Sequence, residues 1–257
     1  MAAIPNSPRH RTLRLLAACW VSILAGANSF ATDPATPTNH AGFRLHAERE
    51  FQARQTEHQN APTNAAAAWQ FARACFQRGD FSTNHAERAA LAELGIAACR
   101  QWLQRDSNSA PARYFLGLNL GQLARTKTFG ALAIVDEMEV QFQRARELDE
   151  RLEHAGPDRS LGLLYREAPV LASVGSRTKA RQHLRRAAEL APGFPPNRLN
   201  LLESYAGWGE KGEARLQLRR LEVILPVART NFTGADWAAA WAEWEPRVAQ
   251  ARRTLAE

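Results

Sequence analysis

The stretch Arg105-Asp106-Ser107-Asn108-Ser109-Ala110-Pro111-Ala112-Arg113-Tyr114-Phe115-Leu116-Gly117 decides the fold. Its first five residues are polar turn formers, its proline suits the first turn of a helix, and its end is an aromatic, Leu-Gly helical face. It reads as a joint between two helical hairpins, and the joint recurs. Pro62, Ser107, Glu150, Pro192 and Pro226 each end a helix, and helices resume with Phe71-Ala72, Leu116-Gly117, Leu161-Gly162 and Leu201-Leu202. From Pro62, Ser107 and Pro192 the next such pair begins about nine residues on, an offset that fits a helical-hairpin repeat of about 34 residues. One slip of about two residues interrupts the phase between Glu150 and Leu161.

Working outward, Phe43, Ala47 and Phe51 share one helical face, which makes 41–62 a half-repeat cap. Full hairpins are expected over 64–107, 110–150, 156–192 and 195–226. The first three exceed the minimal repeat by about eleven, nine and six residues, all assigned to the connection between the two helices of a hairpin. Such connections lie along one edge of a solenoid. Residues 227–257 form a C-terminal unit with a capping box at Thr233-Gly-Ala-Asp236, a stripe of Trp237, Trp241 and Trp244, a kink at Pro246 and a charged tail. The stripe reads as the apolar face of a helix that closes the open end of a solenoid.

The 257 residues are 45% hydrophobic and 23% charged, suited to a globular chain with a large core. Residues 1–31 read as a secretory signal: Arg9, Arg11 and Arg14 precede the apolar run 15–27, and Ser29-Phe30-Ala31 provides small residues before a cut. Residues 32–40 read as a flexible leader. Cleavage near Ala31 implies a periplasmic protein with no transmembrane segment in its mature chain. Leu16-Ala17-Ala18-Cys19 resembles a lipobox, but cutting there leaves only about four apolar residues after Arg14, too few for a signal core. Removing the three N-terminal arginines from a formal charge of +7 leaves 30 basic against 26 acidic residues, or +4. With basic and acidic residues alternating along helices, nucleic acid is not an expected partner. Cys75 and Cys99 occupy facing core positions of the first hairpin, where either a disulfide or two small buried thiols would fit.

The repeat residues resemble the tetratricopeptide-repeat (TPR) superfamily from about Phe43 to Pro226. The stretches Tyr114–Ala124, Glu147-Leu-Asp-Glu with Ala155–Tyr165, and Ser176–Leu184 look like the TatT family, the T component associated with TRAP transporters, and more distantly the regulators of microtubule dynamics. The resemblance implies an all-α fold, a TPR-like right-handed α-solenoid of antiparallel hairpins with terminal capping helices. It implies an exported, non-enzymatic protein working with an envelope partner.

In this repeat class the first helix of each hairpin lines the inner face. That rule selects Trp69, Arg73 and Phe76, then Tyr114, Leu118, Asn119 and Gln122, then Arg159 and Arg166, and finally Glu203 as partner-binding positions. Aromatics supply contact area and arginines can hold a carboxylate through two bonds. Two functions remain. One is a scaffold for a protein or peptide of the bacterial envelope. The other is a TatT-like accessory of a TRAP-type solute transporter, with Trp69, Phe76 and Tyr114 lining an apolar cavity of roughly 300 Å³ or more. Catalysis has no warrant: there is no His-x-x-x-His or Cys-x-x-Cys spacing, no Gly-x-Ser-x-Gly elbow and no phosphate loop, so no cofactor or metal is implied. Nothing in the sequence sets the oligomeric state.

Overall fold

The computed structural model describes residues 37–256. The expected signal segment, Cys19 and the first part of the expected leader lie outside the described residues. Within them the chain is entirely helical, in ten α-helices: α1 (Pro37–Asn60), α2 (Ala65–Asp80), α3 (His85–Leu103), α4 (Ala110–Ala124), α5 (Ala131–Leu148), α6 (Leu152–Glu167), α7 (Arg177–Leu190), α8 (Pro195–Gly207), α9 (Lys211–Asn231) and α10 (Ala235–Ala256). Helix α1 thus begins inside the stretch read as a leader.

Each hairpin pairs two consecutive helices, α2 with α3 through α8 with α9, and each second helix also packs on the next first helix. The first helices meet one another along the inner side, α2 with α4, α4 with α6 and α6 with α8. This is an α-solenoid. The Leu-Gly pairs explain its spacing. A Cβ on Gly117 would lie 2.5 Å from the Phe142 ring, and one on Gly162 would lie 2.6 Å from Leu184 Cγ and 3.0 Å from its backbone nitrogen. Only a residue without a side chain lets the two helices of a hairpin approach this closely. The vacated space is filled by Phe142 and Leu184, both fully buried, and burial of each contributes about 1.5–3 kcal/mol.

The quoted joint behaves as its residues dictate. Asp106 accepts from the Asn108 amide at 2.9 Å, an Asx turn, and Pro111 sits in the first turn of α4. Arg113 then donates back to the Ser107 carbonyl at 2.8 Å, tying helix to turn.

The N-terminal cap is held by an ion pair as well as by packing. Arg78, almost buried on α2, donates to Glu48 of α1 at 2.5 Å and to Glu87 of α3 at 2.6 Å. At the other end, Trp244 and Val248 of α10 pack on Phe194, Leu199 and Leu221, and Ala251 and Leu255 pack near Tyr205 and Ala214. The tryptophan stripe therefore closes the solenoid on α8 and α9. The two ends also meet: α10 touches α1, with His46 Nε2 3.0 Å from Asp236 Oδ1.

Four local expectations need correction. Pro226 does not end its helix, since α9 runs on to Asn231, and Pro246 does not interrupt α10. A proline removes one ladder donor, and neighbouring bonds and packing hold the rest. No capping box forms at Asp236, whose carboxylate meets His46 instead. The extra residues of the first hairpin lengthen its helices to 16 and 19 residues, leaving a connection of only 81–84.

Candidate functional site

The slip in the repeat phase has a physical form. Glu153, His154 and Ala155 all adopt left-handed backbone conformations, with φ of 49°, 58° and 60°. For residues with a Cβ this costs about 1–2 kcal/mol each. Such strain persists only where surrounding contacts impose it, and here the contacts are visible. Arg159 donates to the carbonyls of Glu153 (3.3 Å) and His154 (3.1 Å), to Asn197 Oδ1 (3.0 Å) and to Tyr114 Oη (3.4 Å). Asn197 adds a bond from its amide to the His154 carbonyl at 3.0 Å. Gly156 and Pro157 then start the regular part of α6. A Cβ on Gly156 would lie 2.6 Å from Tyr114 Oη, so the glycine lets α4 and α6 meet at this turn.

Around the turn stand groups from several repeats. Arg73 of α2 reaches Glu153 at 3.5 Å while 39% of its side chain stays exposed. Trp69, one helical turn before it, stacks on Phe115 at 5.8 Å. His154 stacks on Phe194 at 4.5 Å and meets Trp237 and Phe232 at their edges. Burial, then the positive charge of Arg159, holds the His154 imidazole below its ordinary pKa. Arg159 lies 5.1 Å over the Phe194 ring. The result is a rim of two arginines, one glutamate and an aromatic wall.

Of the ten positions selected from the sequence, Trp69, Arg73, Tyr114 and Arg159 come together at this rim. The other six do not join it. Phe76 is half-buried against the main core, and Leu118 is buried. Asn119 is fully buried and donates to the Ala72 and Phe115 carbonyls at 2.9 and 2.8 Å. Gln122, also fully buried, donates to Asp80 at 2.5 Å. These two amides staple α4 to α2. Arg166 bonds Glu167 and Ser204, whereas Glu203 binds Arg247 of the closing helix. Tyr114 itself is 3% exposed, so it offers the rim little more than its hydroxyl.

Glu153, His154, Asn197, Phe194 and Trp237 were not selected from the sequence. The phase slip marked the place, but it carried no information about which side chains would gather there. Cys75 and Cys99 are both free and buried. Burial pushes the Cys75 thiol up to about 12 and raises Cys99 further, so both are inert thiols in this state. No group of three metal-ligating side chains occurs among the described residues, and no helix there is long and apolar enough to cross a membrane.

A surface cleft of about 450 Å³ lies on another part of the solenoid, between α3, α4 and α5. Ile96, Leu120, Leu123 and Ile134 line it, with the Arg100–Glu137 ion pair at its border. Trp69, Phe76 and Tyr114 are not part of it.

No family model and no curated protein sequence matches the chain. Among solved structures it is similar to TTC0263, described as a thermophilic TPR protein of Thermus thermophilus, with a TM-score of 0.56 and 18% identity. That match covers 80% of this chain and 100% of the other. The fold is TPR-like, an all-α solenoid of helical hairpins.

Proposed function

We propose that this chain is a non-enzymatic TPR-type scaffold that binds a protein or peptide partner in the bacterial cell envelope. The observation that carries this reading is the rim at Glu153–Ala155. There, strained backbone, a half-exposed Arg73, Trp69 and the aromatic wall of Phe194 and Trp237 converge from separate repeats. Aromatics and arginine are the side chains that most often dominate binding energy at interfaces. TPR-like solenoids act as interaction surfaces, which supports a protein partner. The basic and apolar N-terminal sequence supports export. The test is affinity capture from an envelope fraction, with mass spectrometry of bound proteins and small molecules, for the wild type and Arg73→Glu. Loss of a specific protein in the variant supports the reading, and identical capture by both removes the rim from it.

A second reading, a TatT-like accessory of a TRAP-type transporter holding a small apolar ligand, draws on the cleft between α3, α4 and α5. Its volume falls in the range of ligand sites, and four aliphatic side chains line it. Recovery of a bound small molecule whose capture is lost in Leu123→Glu, with no protein partner, would favour this reading over the scaffold.

A further inference from the structure

The connections inside the hairpins share one edge of the solenoid, and two of them place apolar side chains fully in water. Phe129, between α4 and α5, is 83% exposed, while Val170 and Leu171, between α6 and α7, are 72% and 100% exposed. The helices that follow these connections are linked, with Lys179 near the start of α7 reaching Glu139 of α5 at 3.5 Å. The other large apolar side chains more than half exposed among the described residues, Leu45, Val140, Val223 and Val227 at 51%, 57%, 77% and 61%, lie within helices α1, α5 and α9 and not in a connection.

Charge in these two connections is mainly positive, although Arg125 pairs with Asp80 and Arg166 with Glu167. Residues 125–134 carry Arg125 and Lys127 and no acid, and residues 166–179 carry Arg166, Arg177 and Lys179 against Glu167 alone. Lys127 has no ion-pair partner among the described residues. Arg177 shares the single carboxylate of Glu210 with Arg181. The next connection along the edge presents Trp208, half-buried, with Arg177 and Arg181 packed 5.2 and 5.4 Å from its ring. Exposed aliphatic tips, an amphipathic tryptophan and surplus lysine and arginine thus follow one another along a single line.

We propose that this edge docks on an anionic lipid surface, with Phe129, Val170 and Leu171 entering the interfacial layer and Lys127, Arg177 and Lys179 meeting the headgroups. The shape favours lipid over protein. Phe129, Val170 and Leu171 stand on connections and line no part of the cleft between α3, α4 and α5, and a fluid interface closes around protruding groups of any outline. The basic residues complement the negative headgroups of such a surface. Attachment of this kind is peripheral and needs no spanning helix. It does not depend on what occupies the rim at Glu153.

The test uses the full chain carrying Cys19→Ser, with an environment-sensitive fluorophore on Leu171→Cys or, on the opposite edge, Ser107→Cys. Buried Cys75 and Cys99 do not compete for the label. Vesicles of phosphatidylglycerol and phosphatidylcholine, with brominated acyl chains as quencher, are the probe. The expected result is strong quenching at 171 and little at 107. Adding Lys127→Glu and Lys179→Glu is expected to weaken vesicle binding about ten-fold, with pure phosphatidylcholine giving weak binding throughout. Equal quenching at both positions, which indicates attachment elsewhere on the chain, overturns the proposal. So does an unmoved label at 171. A label that responds to a lipid-free protein extract but not to vesicles identifies a protein surface and also overturns it.

Discussion

Arg247 of the closing helix and Glu203 of the inner face form a two-bond fork, Nε to Oε1 and Nη2 to Oε2, both at 2.8 Å. Only 11% of the Arg247 side chain and 24% of Glu203 is exposed. Burial opposes the charge on Arg247, yet Glu203 and Glu243 together more than offset it and hold the guanidinium pKa above its ordinary value. Glu203→Ala leaves a nearly buried cation with only Glu243 and Asn200 as partners. The expected loss is about 2–4 kcal/mol of unfolding free energy in a denaturant titration. The double variant Glu203→Leu/Arg247→Met is expected to lose less than Glu203→Ala alone, because no buried charge is then stranded.

The arginines at the rim are expected to separate stability from binding. Arg159 holds the left-handed turn through several hydrogen bonds, so Arg159→Ala should lower stability by about 2 kcal/mol or more. Arg73 has one ion pair and is half-exposed, so Arg73→Ala should leave the melting temperature almost unchanged. Its effect should fall on partner capture. Calorimetry beside the capture experiment checks both halves.

Gly162→Ala forces a Cβ against Leu184 and is expected to destabilise by about 1–3 kcal/mol, although the same change in an open helix normally stabilises. Gly207→Ala provides the contrast, since nothing lies within 4 Å of a Cβ there. That variant should be neutral or gain up to about 1 kcal/mol. Opposite signs in parallel thermal melts are the expected outcome.

Acid should weaken the fold in two stages. Burial lowers the pKa of His58, and burial with Arg159 lowers that of His154, from the ordinary 6.5. Their contribution is complete above the unfolded value and is lost as pH falls through the lowered folded values. Glu48, held down by its Arg78 hydrogen bond, and Glu87, held down by the Thr83 amide, contribute above 4.5 and lose that contribution at lower pH. His58→Phe, which keeps the stack on Phe71, should reduce the upper stage of a stability profile to the His154 share and leave the lower stage unchanged.

Both core cysteines should resist a thiol reagent in the native protein and react on unfolding. A reductant should leave the melting temperature unchanged. Two rapidly reacting thiols, or a drop in melting temperature on reduction, would contradict the buried, free state.

Much of the fold is legible because its signals are local. Leu116-Gly117 and Leu161-Gly162 name the close contact between paired helices, and Pro111 with the turn at Asp106–Ser109 names the joint. The prolines at 226 and 246 mislead, because a local rule about a missing donor gives way when neighbouring helix bonds and packing hold the segment. The inner-face rule points to α2, α4, α6 and α8, but periodicity does not say which positions neighbouring repeats cover. Asn119 and Gln122 look like recognition residues in the sequence, and in the fold they are staples.

The joint at Arg105–Gly117 and its repeats determined a helical-hairpin solenoid, since turn chemistry, helix starts and Leu-Gly spacing act over a few residues. The tertiary structure alone decided how the phase slip before Leu161 is absorbed. Three left-handed residues absorb it, held there by Arg159 of the same helix and by Asn197, some 43 residues further on. It also decided that Trp237 reaches His154 and that Asp236 meets His46. These contacts join residues some 80 to 190 positions apart, set by the cumulative rotation of the repeats, and that rotation is a property of the packed solenoid.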